Sequence, residues 1–229
     1  MSTAHGPRDD VTSASTTGND TTSRTAGVVA LVAPLVMVAG AAVWASTGTD
    51  LDAAVTNGTV GDYLTQVAAA PSAVYLHVLL WMVGGPLLGL AILLLVRRQD
   101  IGGTHGVVAT AAAHLGAAMA IVCFSIWFAL LELRGASGAQ DVVHVLGFLA
   151  SRVDWVATVL LIGVAPAAVS WARGGRTWQR ILSTLAAGLG VIALIGLWLQ
   201  AEAAIAIGFV EVPVGLAWFV ATGITELRR

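Results

Sequence analysis

Residues 148–161 read FLASRVDWVATVLL. Apart from Ser151, Arg152, Asp154 and Thr158 every residue in this stretch is apolar, and the apolar character continues to Trp171. A helix needs ~20 such residues to cross the ~30 Å hydrocarbon layer of a bilayer. Counting back about 20 residues from Arg173 reaches Arg152, which places the arginine at the start of a span, where a long side chain snorkels to the surface. Trp155 then suits an interfacial aromatic position. The preceding stretch VVHVLGFLA at 142–150 is just as apolar. A helix over about 140–172 is too long to stand upright, so either it tilts, with Arg152 and Asp154 immersed and in need of partners, or its first turns lie against the end of the bundle.

The same pattern recurs along the chain. Of 229 residues, 57% are hydrophobic and 10% charged, against roughly 25% charged in a soluble domain, and the mean hydropathy is +0.86. The sequence therefore predicts an all-α fold, a polytopic transmembrane helix bundle of about six spans, near 26–46, 73–96, 106–131, 150–171, 181–199 and 205–225. The boundary between the last two is weak, because LQAEAAIA at 199–206 offers little turn signal. Residues 1–25, rich in Ser, Thr, Asp and Gly, read as a disordered tail. The largely polar 25-residue stretch ahead of the first apolar segment argues against a cleaved signal peptide.

Arginine placement sets the orientation. Arg24, Arg97, Arg98, Arg173, Arg176, Arg180, Arg228 and Arg229 fall on one side of a six-span chain, and the other side receives only Arg134 and Arg152. Basic residues stay cytoplasmic, so both termini are expected in the cytoplasm and the protein in the cytoplasmic membrane. The loop 47–72 becomes the longest extracytoplasmic segment. Its DYLTQVAAA reads as a short helix, and three roles stay open for the loop: a cap on the bundle, part of a binding site, or a solvated connector.

Small residues recur at four-residue spacing, as in Gly85 and Gly89, the Ala109, Ala113, Ala117 series, and Ala186 with Gly190. They supply faces for close helix packing, within one bundle or in a homo-oligomer. Pro34, Pro86, Pro166 and Pro213 fall within spans, where each removes a backbone donor.

Polar residues inside such a chain mark candidate sites. One end of the bundle collects His77, Glu132, His144, Arg152, Asp154, Glu202 and Glu211, with Gln200 beside them, and the expected polar cluster joins Arg152 to Glu132 or Glu211. Arg152 and Asp154, two residues apart on a helix, do not face each other and look for different partners. A second line runs along the third span: His114 and Glu132 are 18 residues apart, about five turns, with Ser125 near the same line. On the sixth span Glu211, Trp218, Thr222 and Thr225 share a face. Either line suits an internal path or, alternatively, side chains bonded to their own helices.

Established chemistries find little support. Haem needs histidines facing one another across the bundle; His77 and His144 share an end, but His114 has no second histidine. A metal site would require His77, His144, Glu132 and Glu211 to converge through tertiary structure. The GASG at 135–138 lies in a loop without a histidine base on the last span. Cys123 is the sole cysteine, so no intrachain disulfide forms. No cofactor, metal, catalytic residue or nucleic-acid partner is expected. The remaining classes are a small-solute or proton-linked transporter and a non-enzymatic sensor or assembly subunit, with the lipid bilayer as partner and either a homo-oligomer or another membrane protein beside it.

EVPVGLAWFVATGITE at 211–226 resembles the last span of a family of uncharacterised multi-pass bacterial membrane proteins, a domain of unknown function. Glu211, Trp218 and Gly223 would be its glutamate, late tryptophan and glycine. LLLVRRQD at 93–100 is similar as well, and Arg152 resembles an arginine early in a middle span, although Asp154 stands where a glutamate is expected nearby. The resemblance covers about a sixth of the chain and implies six or so helices and no known activity.

Overall fold

The computed structural model describes residues 16–136, 138–172, 175–199 and 201–228, which are helices and short connections with no strand among them. The helices are α1 (Thr16–Thr47), α2 (Leu51–Asn57), α3 (Val60–Ala69), α4 (Pro71–Arg98), α5 (Gly103–Glu132), α6 (Gln140–Thr158), α7 (Ala165–Trp171), α8 (Thr177–Trp198) and α9 (Glu202–Leu227), with a six-residue π-helical segment, Val159–Val164, joining α6 to α7. Six stretches are long and apolar enough to cross a bilayer: Arg24–Thr47, Pro71–Arg98, Gly103–Gly135, Gln140–Trp171, Thr177–Trp198 and Ala206–Leu227. The chain fits a multi-pass membrane protein.

Two expectations change here. The tail expected to be disordered over 1–25 lies partly outside the described residues, and from Thr16 onward it is helix. Extending an existing helix costs far less than nucleating one, so the apolar span carries α1 back through its polar leader. The fourth span is also longer than the block 150–171, running without a break from Gln140 to Trp171. Pro166 accounts for its π turn: the proline lacks an N–H and its ring collides with the carbonyl four residues back, and a wider turn relieves that clash.

The helices pack in series, α1 on α4, α4 on α5, α5 on α6, α8 on α9, and α9 back on α1. The α6–π–α7 element fills the middle, touching α4, α5, α8 and α9. It is the most buried span, at 56% against 28% for α8, which is why the polar residues of 148–161 face protein. Bare backbone permits the closest approaches. A Cβ on Gly89 would come within 3.0 Å of the Ala113 carbonyl oxygen, and one on Gly163 within 2.9 Å of the Ala187 Cα. The Gly85–Gly89 face is thus spent on α5 inside the bundle.

The two ends of the bundle differ. At the end carrying the termini, Gln99 Nε2 donates to Glu226 Oε1 (3.2 Å) and Gln179 Nε2 to Thr222 Oγ1 (3.3 Å). The opposite end is capped by α2 and α3. The Asp50 carboxylate accepts from the Ala53 N–H (2.9 Å) to start α2, the preferred chemistry for a helix N-cap. Gly58 stops it in the left-handed region (φ 70°), which glycine enters without a Cβ penalty. Leu51 and Val55 pack on the bare backbone of Gly147. Trp127 Nε1 donates to Tyr63 Oη (2.8 Å), tying α3 to α5. The 47–72 segment is a cap on the bundle rather than a solvated connector.

Candidate functional site: an aromatic cavity under an acidic cap

Helices α1 and α9 meet at the terminal end and part toward the capped end. A Cβ on Gly223 would stand 2.9 Å from the Gly27 carbonyl oxygen, so only two glycines allow that crossing. At the other end the Trp44 and Phe209 rings stack with centroids 5.6 Å apart. Between these closures lies a cavity of about 540 Å³ whose lining includes Pro34 of α1 and Pro213 of α9. Each proline removes a ladder hydrogen bond where the two helices splay. Leu35, Val38, Phe209, Pro213 and Ala217 line the cavity and are also exposed at the bundle surface, so it opens sideways between α1 and α9.

The walls are aromatic. Trp81, Phe124 and Trp127 join Trp44 in a chain of rings with centroid separations of 5.7 to 6.4 Å. Trp81 lies where a side chain at Gly40 would be, and its Nε1 donates to the Met37 carbonyl (3.1 Å), binding α4 to α1. Buried His77 sits edge-on to Trp81 and Trp127, at 5.3 and 5.9 Å between centroids.

The roof is acidic. Asp50, Asp52 and Asp154 line the cavity, and among the described residues no basic one does. Asp52 Oδ2 accepts from Trp155 Nε1 (3.0 Å), whose ring occupies the space over Gly208 on α9. Burial holds the Asp52 carboxyl above the usual carboxylate range; the bonds from Ser151 and Trp155 work against that shift, the Asp50 charge adds to it, and the Arg152 charge opposes it. Tyr63, on the buried face of α3, has its phenol pushed up by burial, with the Trp127 bond opposing. The Asp154 carboxylate receives a long, weak donor, the Cys123 thiol at 3.7 Å.

Arg152 answers the question posed by 148–161. It is 2% exposed, its Nη1 donates to Ser151 Oγ (2.8 Å) and its Nη2 to the Leu197 carbonyl in the last turn of α8 (2.8 Å). Its guanidinium lies 4.4 Å from the centre of the Phe148 ring. Through Ser151 it connects to Asp52, so the arginine, the serine, the aspartate of α2 and Trp155 form one chain at the capped end.

The expected pairing of Arg152 with Glu132 or Glu211 is not what the fold builds. Glu132 is exposed and accepts from the Tyr75 hydroxyl, to which Arg134 Nη1 also donates (3.2 Å). Glu211 is 0% exposed and packs against Gly190 of α8, which also faces Val159 of the π turn. Gly190 lies seven residues before Leu197, about 10 Å of helical rise, so Glu211 sits two turns deeper than Arg152. Among the described residues neither Glu211 oxygen has a hydrogen-bond partner, nor has either ring nitrogen of His77. His144 is exposed on α6, whereas His77 is buried on α4. Asp154 faces α5 and Arg152 faces α8, the divergence that their two-residue spacing requires.

On α5, His114 Nδ1 meets the Thr110 carbonyl (2.8 Å), Ser125 Oγ donates to the Ile121 carbonyl (2.7 Å), and both residues are exposed. That line faces outward rather than along an internal path. The α9 face does point inward: Trp218 Nε1 donates to Ser170 Oγ (2.8 Å), and Thr222 meets Gln179. Among the described residues no three His, Cys, Asp or Glu side chains gather as a metal site. Ser137, Gln200 and the Glu202 side chain lie outside the described residues.

Sequence reasoning missed Asp52 and the ring of aromatics. The signal for Asp52 was present: an N-cap aspartate followed by Leu51, Ala54 and Val55 marks a short helix with one apolar face. Comparison with known proteins finds no matching family model, no matching curated protein and no matching solved structure.

Proposed function

We propose that the protein is a carrier of the cytoplasmic membrane, with both termini in the cytoplasm, that takes up a small solute into the α1–α9 cavity from the outer leaflet. The observation that carries this reading is the cavity itself, about 540 Å³, open sideways and capped by α2. Small-molecule sites are concave, mostly apolar, and carry a few placed polar groups, and this one combines aromatic walls with three carboxyl groups. The orientation is supported by the concentration of arginine at the terminal end.

The test uses tryptophan fluorescence in nanodiscs, since Trp44, Trp81, Trp127 and Trp155 line the cavity. Brominated benzyl solutes of cationic, neutral and anionic character serve as quenchers. At least one is expected to quench saturably, and Ala217→Phe, which narrows the lateral opening, is expected to weaken that quenching at least tenfold. Quenching that is unsaturable for every solute, or unchanged in Ala217→Phe, refutes the site. Carrier activity is then read as uptake of the binding solute into proteoliposomes; binding without uptake would leave a receptor rather than a carrier.

A further inference from the structure

The charge pattern of the cavity selects among solutes. Its charged lining is one-signed: Asp50, Asp52 and Asp154 reach it and, among the described residues, no arginine does. Arg152 does not line the cavity: it reaches Asp52 only through Ser151, and its Nη2 is given to the Leu197 carbonyl, with the guanidinium against the Phe148 ring. Asp50 is committed as the cap of α2 and Asp52 to Trp155. Asp154 is different: among the described residues its donor is a thiol at 3.7 Å, and a thiol is a weak donor. Its carboxylate is thus the group left to meet a ligand.

Trp81, Phe124 and Trp127 line the same cavity as Asp154. Aromatic faces attract cations through their quadrupole, more strongly when water is excluded, and they also accept apolar bulk. An anion would meet three carboxyl groups. A neutral solute would gain from the walls and leave the roof unused. A strongly hydrated inorganic cation would gain little from the apolar walls and could not exploit the sideways opening. The occupant that uses roof, walls and opening together is an amphiphilic organic cation.

We infer that the cavity binds a hydrophobic organic monocation, an ammonium or phosphonium carrying aromatic or alkyl groups, with Asp154 as its counter-ion and Trp81, Phe124 and Trp127 around its apolar part. This rests on the reading of the cavity as a solute site and adds its chemical class.

The experiment compares three probes of one shape in nanodiscs of uncharged lipid: 4-bromobenzyltrimethylammonium, its carbon isostere 1-bromo-4-neopentylbenzene, and 4-bromobenzylsulfonate. The ammonium is expected to quench with at least tenfold higher affinity than the carbon isostere, a difference of about 1.4 kcal/mol, after correction for partitioning into protein-free discs. Asp154→Asn is expected to remove that preference while leaving affinity for the carbon isostere unchanged. Asp52→Asn, a second variant that alters the roof from α2, is expected to reduce the preference in part, and it serves if Asp154→Asn does not fold. Equal affinity for the ammonium and the isostere, or tighter binding of the sulfonate, overturns the cation inference while the cavity survives as a solute site. Absence of saturable binding by all three, or displacement of none of them by excess solute against brominated lipid, overturns both the inference and the solute site, and assigns the cavity to acyl chains.

Discussion

Replacing Arg152 by alanine removes more than a charge. The side chain makes two hydrogen bonds of 2.8 Å and covers the Phe148 ring at 4.4 Å while 2% exposed. Hydrogen bonds from a charged donor are worth about 1.5–3 kcal/mol each, and a desolvated cation–π contact about 2 kcal/mol. The cost of desolvating the guanidinium offsets much of this gain. Removing one member of a buried charged network nevertheless costs about 3–5 kcal/mol, because the partners stay behind unsatisfied. Here those partners are the Leu197 carbonyl, Ser151 Oγ and, through Ser151, the Asp52 carboxylate. We expect Arg152→Ala to cost about 3 kcal/mol. Part of that loss is the isolation of Asp52, so Asp52→Asn should cost less in the Arg152→Ala background than in the wild type, with a coupling of about 1 kcal/mol. The assay is equilibrium unfolding in mixed micelles for the four proteins of this cycle, followed by far-UV circular dichroism. A cost below about 1 kcal/mol for Arg152→Ala, or additivity within about 0.5 kcal/mol, would refute the bonded chain.

Three further outcomes follow from neighbouring contacts. The Asp52 carboxyl is held above its ordinary range by burial, so its stabilising contribution is complete below the unfolded-state value near ~3.9 and is lost as pH rises through the raised folded-state value. Melting temperature in detergent should therefore fall over that window in the wild type and fall less in Asp52→Asn, with Asp50, Asp154 and Arg152 as the charged groups around it; identical slopes would count against the burial argument. Gly208→Ala places a methyl group inside the Trp155 ring position, which should displace the indole from Asp52 and cost about 1–3 kcal/mol of stability by overpacking, visible as a shifted Trp emission and a lower melting temperature. Trp127→Phe keeps a ring in place but removes the donor to Tyr63; it should cost about 1 kcal/mol and speed amide exchange across α3, and unchanged exchange there would show that the bond does not hold the cap.

The candidate site was legible in part. Arg152 and Asp154 stand out as charges in an apolar helix, and their spacing alone predicts that they face different neighbours. Glu211 stands out equally, yet its depth relative to Arg152 depends on how α8 and α9 are set against α6, which no local pattern encodes. The aromatic residues were invisible as a group because they come from α1, α4, α5, α6 and α9, and each alone is an ordinary apolar residue. Asp52 looked like a loop carboxylate because the burial of α2 is created by Gly147 and the floor beneath it.

Six long apolar segments and the uneven distribution of arginine are written in the chain, because hydrocarbon selects for residues one at a time and needs no knowledge of their neighbours. The existence of a helix over Gln140–Trp171 is therefore a property of the sequence. The assignment of Arg152 to the Leu197 carbonyl, the placing of Asp50, Asp52 and Asp154 along one cavity, and the opening between α1 and α9 are decided by tertiary structure. Helices in lipid gain no general hydrophobic driving force from associating, so their placement is set by shape at contacts such as Gly27 with Gly223 and Gly89 with Ala113. Those contacts join residues far apart in the chain, and the cavity is the space they leave.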